Sequence, residues 1–305
     1  MITTRRLNVH HSTVYRYDTP VPRSVHRGHL RPIHDRRQTV DLHKLKITTD
    51  TGGPVDVFEY EDAFGNAAFR FTVEQPYQEL SVVAESTVIL RQHDPFDLPV
   101  NDQRPRLPLN WMPRERMALS HFLQSLELPD TQLQELFDYA RSFAEANDND
   151  LLETLFAINL ELYRNYTYQP GSTSNDTTPY ETFTSKSGVC QDFAGLFITL
   201  ARLLRVPARY VCGYVYTGNT GSQSEGDDSS ASRAPSDATH AWVQLYVAGV
   251  GWVGFDPTNG VLPNLDHVRV AFGRNWRDTA PLTGTLYGDG ANETLEAAVA
   301  VEEIE

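Results

Sequence analysis

The chain has 305 residues, 40% hydrophobic and 22% charged, the balance of a soluble globular protein with room for one sizeable core or two ordinary domains. Its net charge of −14 is uneven, because residues 1–50 hold ten Lys/Arg against four Asp. The remainder is acidic enough to repel phosphates, which argues against a nucleic-acid partner, and the basic segment reads as a solvated face or one that docks on the acidic body. No apolar run approaches the ~20 residues of a membrane span, and the first ten residues lack the apolar centre of a secretory signal. Two cysteines make no disulfide framework, and a reducing cytoplasm is the expected compartment.

Residues 1–93 are expected to form a β-rich domain, a small sandwich or barrel. Residues 7–17 mix β-branched and aromatic side chains, and Pro20 and Pro22 end the run. Residues 42–48, 55–60, 67–73 and 80–90 read as further strands, with a hairpin at Phe64-Gly65-Asn66 and a turn at Gly52-Gly53-Pro54. His10, His11, His26, His29, His34 and His43 fall in this region. Their neighbours are arginines rather than carboxylates or cysteines, so no metal site is read and the histidines are placed on the surface.

Residues 94–113 carry five prolines and read as a linker. Three helices are expected next: 114–126; 130–145, with Leu133, Leu136, Phe137, Ala140 and Phe143 on one stripe; and a third opened by a capping box from Asp150 to Glu153. The run Tyr166-Thr167-Tyr168-Gln169-Pro170-Gly171 has the look of a turn with aromatic packing. From 187 to 206 the chain turns apolar at helical spacing, with Phe193, Leu196, Phe197, Leu200 and Leu204 on one face, Ser187 as the expected N-cap and Pro207 as the stop.

Residues 208–217 alternate like a strand, and Cys212 on it reads as core filler. Residues 218–238 are rich in Gly, Ser and Asp and read as a mobile insertion that could close over a cleft. The spacing of Glu225, Asp227 and Asp228 is not that of a calcium loop. Two short strands follow, one carrying His240 beside Trp242, Gln244 and Tyr246, the other ending at Asp256. The short hairpin between them can bring His240 and Asp256 within hydrogen-bond reach. His267 reads as a surface residue or a loop anchor. The segment from Pro281 has six acids and no base, and residues 295–301 could add one strand to a sheet.

Cys190 lies where the helix starting near 187 leaves its first N–H groups unpaired and its dipole positive, which favours thiolate over thiol. An isolated cysteine is most often a small core residue. Here a His on one strand and an Asp at the end of the next supply what thiol catalysis needs: a base to take and return the proton, and a carboxylate to hold the imidazole.

Gly188-Val189-Cys190-Gln191-Asp192-Phe193-Ala194, then His240-Ala241-Trp242, then Gly251-Trp252-Val253-Gly254-Phe255-Asp256-Pro257-Thr258, resembles the core of the bacterial transglutaminase-like superfamily. The first hundred residues resemble the β-rich region that often precedes that core. The resemblance implies an α+β protein: a β-rich N-terminal domain, then a papain-like core over residues 114–280 with helices packed on an antiparallel sheet, then an acidic tail over 281–305. It implies Cys190, His240 and Asp256 as catalytic residues, with Tyr166, Tyr168, Gln169, Gln191 and Trp242 as candidates for the substrate cleft, no metal and no cofactor. The implied reaction is acyl transfer through a thioester on a peptide, protein or small amide. Hydrolysis by a cysteine protease or amidase is expected first. A cross-linking protein-glutamine gamma-glutamyltransferase is the alternative, and a non-catalytic binding module on the same fold is a further one. The sequence gives no oligomeric state.

Overall fold

The computed structural model describes residues 3–53, 55–94, 104–125, 127–218, 239–288 and 292–305. The insertion with Glu225, Asp227 and Asp228 and residues 95–103 of the expected linker lie outside these.

The chain opens with strands β1 (Thr4–Val21), β2 (Arg23–Gly28), β3 (Gln38–Thr49), β4 (Val57–Glu61), β5 (Ala67–Val73) and β6 (Tyr77–Arg91). Helices α1 (Pro113–Ala118), α2 (Ser120–Leu123), α3 (Asp130–Ala146) and α4 (Leu151–Asn165) follow. Then come the two-residue strand β7 (Thr167–Tyr168), helix α5 (Pro179–Ser185), the two-residue strand β8 (Ser187–Gly188) and helix α6 (Cys190–Leu203). Strands β9 (Ala208–Val215), β10 (His240–Val247), β11 (Gly251–Phe255) and β12 (His267–Gly273), a 3-10 turn (Trp276–Asp278), β13 (Leu282–Tyr287) and β14 (Glu293–Glu303) complete it. This is an α+β fold.

Two four-stranded antiparallel sheets, in the orders β14-β1-β6-β3 and β13-β2-β5-β4, face each other as a sandwich. Tyr17, Leu30, Phe69, Phe71, Tyr77, Leu80 and Val82 fill the space between them. The segment after Pro281 therefore gives two strands rather than one. Its acids answer the basic first strand, with Arg16 reaching Glu296 at 2.7 Å and Arg5 reaching Glu303 at 3.2 Å. These exposed pairs are worth little each, but their register repeats the strand pairing.

A third sheet, β11-β10-β9-β12, carries the functional residues. One face packs on α6, whose Phe193, Leu196, Phe197 and Leu200 are almost fully buried among Tyr210, Cys212, Val243, Leu245 and Phe255. Each such side chain contributes about 1.5–3 kcal/mol by leaving water. Helices α3 and α4 back α6 with Leu136, Ala140, Leu155 and Ile158. On the sandwich side, Leu7, Val9, Val88, Leu90 and Val299 meet Tyr214, Val268 and Val270. Arg269 makes two bonds to Asp35, at 2.7 and 2.8 Å, fastening β12 to the N-terminal half. Among the described residues, no helix is long and apolar enough to cross a membrane.

Most expected elements form. Asp150 caps α4 by accepting from the Glu153 N–H at 3.1 Å. The helix expected over 114–126 breaks into α1 and α2 around Leu119, the buried residue between them. Neither short piece buries a residue of its own, so packing does not hold one longer helix. Strand β2 was not expected; it is short and carries Arg and His.

The surface placement of the N-terminal histidines fails for His11 and His26, which are 3% and 2% exposed. Each is covered by a ring from a distant strand, Tyr214 for His11 and Phe71 for His26, which the local pattern cannot reveal. His11 spans Tyr214 Oη at 2.9 Å and Thr13 Oγ1 at 3.0 Å, and His26 bonds Ser24 Oγ at 2.9 Å while stacking on Phe71. Burial, with His10 beside His11, lowers both imidazoles from 6.5 to about 4. The unfolded chain therefore binds more protons than the folded one between about pH 4 and 6.5. Stability falls as pH drops through that window, by up to about 1.4 kcal/mol per pH unit per imidazole. Urea midpoints measured from about pH 7 to about pH 4.5 should decline, and His11→Gln should make the decline shallower. An unchanged slope in that variant contradicts the assignment.

Candidate active site

The site begins where two short extended pieces meet. Thr167 and Tyr168 of β7 pair in parallel with Ser187 and Gly188 of β8, and the Gln169 N–H donates to the Gly188 carbonyl at 2.9 Å. Ser187 is thus taken up by strand pairing and does not cap the helix. Val189 occupies the cap position, and Asp192 reaches back from the first turn to accept its N–H at 2.8 Å. The same Asp192 oxygen accepts from Thr173 Oγ1 at 2.7 Å. A Cβ on Gly188 would lie 2.8 Å from that oxygen, so the turn needs glycine there. Cys190 is therefore the first helical residue, its thiol half-buried and free. The backbone N–H groups of this first turn precede any intrahelical acceptor.

His240 opens β10 and is 8% exposed. Its Nε2 lies 2.9 Å from Asp256 Oδ2. Cys190 lies near enough to this ring to be among the groups that raise its pKa. Asp256 follows β11 and has no exposed surface. Its Oδ1 accepts the N–H groups of Thr258 and Asn259 at 3.0 and 3.2 Å. Its Oδ2 accepts from His240, from Asn259 Nδ2 at 2.7 Å and from His267 Nε2 at 3.0 Å.

Burial works against both charges, and the pairing overrides it. The Asp256 carboxyl is held far below the ordinary carboxylate range by His240 and His267. His240 is raised well above 6.5 by Asp256 and Cys190. Cys212, fully buried, is instead pushed up to about 12 by burial, an inert thiol. His240, Asp256 and His267 bring their ligand-type atoms within 4.8 Å of one another. Here both imidazole Nε2 atoms are hydrogen-bonded to one carboxylate oxygen, an arrangement of donors around an acceptor.

The expected cleft residues separate into two groups. Tyr168 is 37% exposed, and burial together with Cys190 and Asp192 nearby raises its phenol to about 12, so it keeps its proton. The Gln169 side chain is exposed, and half-buried Gln191 lines a pocket of about 220 Å³ with Thr178, Ile198, Tyr210 and Trp276. Tyr166 and Trp242 do not line a cleft. Tyr166 is 6% exposed and set edge-on to Phe193, and Trp242 has no exposed surface. The Trp242 ring stacks on His240 and meets His267 edge-on at 5.1 Å, so it supports the imidazoles from behind.

His267, expected on the surface or in a loop, is 3% exposed and bonded on both nitrogens. Asn259 was not foreseen either. An Asp-Pro-Thr-Asn stretch is the mark of an Asx-type turn and could have pointed to it. An acid-His pair opening a strand was the sign of His267.

The sequence matches the profile of the Transglutaminase-like superfamily over residues 138–257 and that of the Bacterial transglutaminase-like N-terminal region over residues 7–89. The chain belongs to the transglutaminase-like superfamily. An uncharacterized protein of Mycobacterium tuberculosis is 31% identical over 305 residues, spanning 98% of this chain and 93% of the relative. A shorter stretch of 98 residues, 32% of this chain and 14% of the relative, is 33% identical to a protein-glutamine gamma-glutamyltransferase of Pseudomonas aeruginosa. Among solved structures, a candidate cysteine protease from Cytophaga hutchinsonii superposes with a TM-score of 0.74 over 100% of this chain and 93% of that one. At 22% identity the likeness is one of fold. Membership of this superfamily supports a thiol acyl-transfer enzyme.

Asp192→Ala removes the acceptor of the Val189 N–H and of Thr173. It should lower stability by about 1–3 kcal/mol and slow alkylation of Cys190 by misplacing the first turn. Urea unfolding and thiol-labelling rates read the two effects.

Proposed function

We propose that Cys190, His240 and Asp256 form a catalytic triad that cleaves peptide or carboxamide bonds through a thioester. The observation that carries this reading is Cys190 at the start of α6, beside an imidazole whose Nε2 sits 2.9 Å from a fully buried carboxylate. His240 takes the thiol proton as sulfur attacks the carbonyl carbon, and gives it to the leaving amine as the C–N bond breaks. The Cys190 N–H at the helix start is placed to stabilise the oxyanion. The Tyr168 hydroxyl and Gln191 flank the same turn. Water, deprotonated by His240, then opens the thioester to a carboxylic acid and restores the thiol. The substrate class is a peptide, a protein or a small amide.

A second reading has a lysine amine rather than water open the thioester, which makes the protein a cross-linking enzyme. The local similarity to a named protein-glutamine gamma-glutamyltransferase favours it. Hydrolysis is preferred because water needs no amine-binding site.

Screening a peptide and carboxamide library for turnover, with product masses recorded with and without a primary amine, tests both. Acid products indicate hydrolysis, and amine adducts indicate transfer. Cys190→Ala should abolish turnover, and Asp256→Ala should lower kcat by orders of magnitude. Full activity in Cys190→Ala ends the mechanism.

A further inference from the structure

The proposed triad leaves a buried titratable group unused. His267 stands against Asp256, its Nε2 3.0 Å from Asp256 Oδ2 and its Nδ1 2.7 Å from Asp266 Oδ1. Its side chain is 1% exposed. A carboxylate can only accept, so an imidazole bonded to one on each nitrogen must carry both protons. Burial opposes that charge, and the two carboxylates outweigh it. We infer that His267 is a positioning residue, a fixed cation that aims Asp256 at His240 and tempers how strongly that carboxylate charges the His240–Cys190 pair.

The shared oxygen makes the coupling direct. His240 and His267 bond the same Oδ2, and their ring centroids are 6.2 Å apart. At that separation inside a protein, one imidazolium shifts the titration of the other by about one pH unit or more. The remaining charged groups around His267 are fixed by other partners. A cavity of about 40 Å³ beside it is lined by Arg37, Arg91, His93 and Arg269. Arg269 is bound by Asp35, Arg91 by Thr39 and Arg37 by the Trp252 carbonyl. On the triad side stand Cys190, His240 and Asp256, with Trp242 edge-on. A purely structural histidine would need no second carboxylate, and Asp266 is what keeps this one charged.

The sign follows from the charge. Removing a cation beside the pair makes thiol and imidazole hold their protons to higher pH. The test is the rate of Cys190 alkylation by iodoacetamide against pH on the full chain, with Cys212 followed separately by peptide mass spectrometry. His267→Gln and Asp266→Asn should each move the midpoint up by about one pH unit, so that alkylation below the midpoint slows about tenfold. A folded variant of either kind with an unmoved midpoint overturns the role. Should His267→Gln not fold, Asp266→Asn, which keeps the ring in place, decides. In the wild-type protein, imidazole ¹⁵N shifts at about pH 8 should show both His267 nitrogens protonated, and a neutral tautomer overturns the proposal without any variant. The inference rests on the triad reading, and the two fail differently. A wild-type Cys190 that titrates like an ordinary thiol sinks the triad, whereas a low wild-type midpoint unmoved in the variants sinks only His267.

Discussion

One buried carboxylate holds the site together. Asp256, with no exposed surface, accepts hydrogen bonds from two backbone N–H groups, one amide and two imidazoles. An ionised carboxyl in such a place persists only if nearly every lone pair is met. Meeting them draws the end of β11, the turn that follows it, the start of β10 and the start of β12 to a single point. The charge then biases His240 toward the imidazolium. Geometry and electrostatics are thus one constraint here: the donors that make the anion tolerable are the groups whose protons matter.

Among the described residues, the N-terminal sandwich contributes no side chain to that point, yet it backs the sheet beneath. The Arg269 N–H donates to Gln38 Oε1 and its carbonyl accepts from Gln38 Nε2, so a side-chain amide of β3 completes the backbone bonding of β12. Arg209 lies between the rings of Trp252 and Phe272 and donates twice to Gln244. The sheet bearing both histidines is therefore clamped, with α6 on one face and the sandwich on the other. A site that depends on hydrogen bonds near 3 Å needs such backing, because small displacements of a buried donor forfeit most of its effect.

The helices and most strands could be read from the sequence because their signals are local: apolar spacing, capping acids, prolines and a glycine turn. Cys190, His240 and Asp256 stood out as candidates because each sits at the end of such an element. What escaped was set by tertiary contact. Ser187 has the right chemistry for a cap, but β7 takes its backbone and Asp192 does the capping instead. Tyr166 and Trp242 have the right composition for a cleft wall, but lie behind the first shell of polar groups. His11, His26 and His267 look like surface residues until rings from other strands pack against them, Tyr214, Phe71 and Trp242 in turn.

The pairing of β1 with β14 joins residues far apart in the sequence, Leu7 with Glu303 and Tyr17 with Glu293. During synthesis on the ribosome, the outer edge of β1 stays unsatisfied until β14 has emerged. The helical layer, made of contacts close in sequence, can assemble much earlier. An open strand edge waiting that long invites pairing with other nascent chains. The charge on Arg5, Arg6 and Arg16 along that strand gives it a means of keeping them apart until its acidic mate arrives.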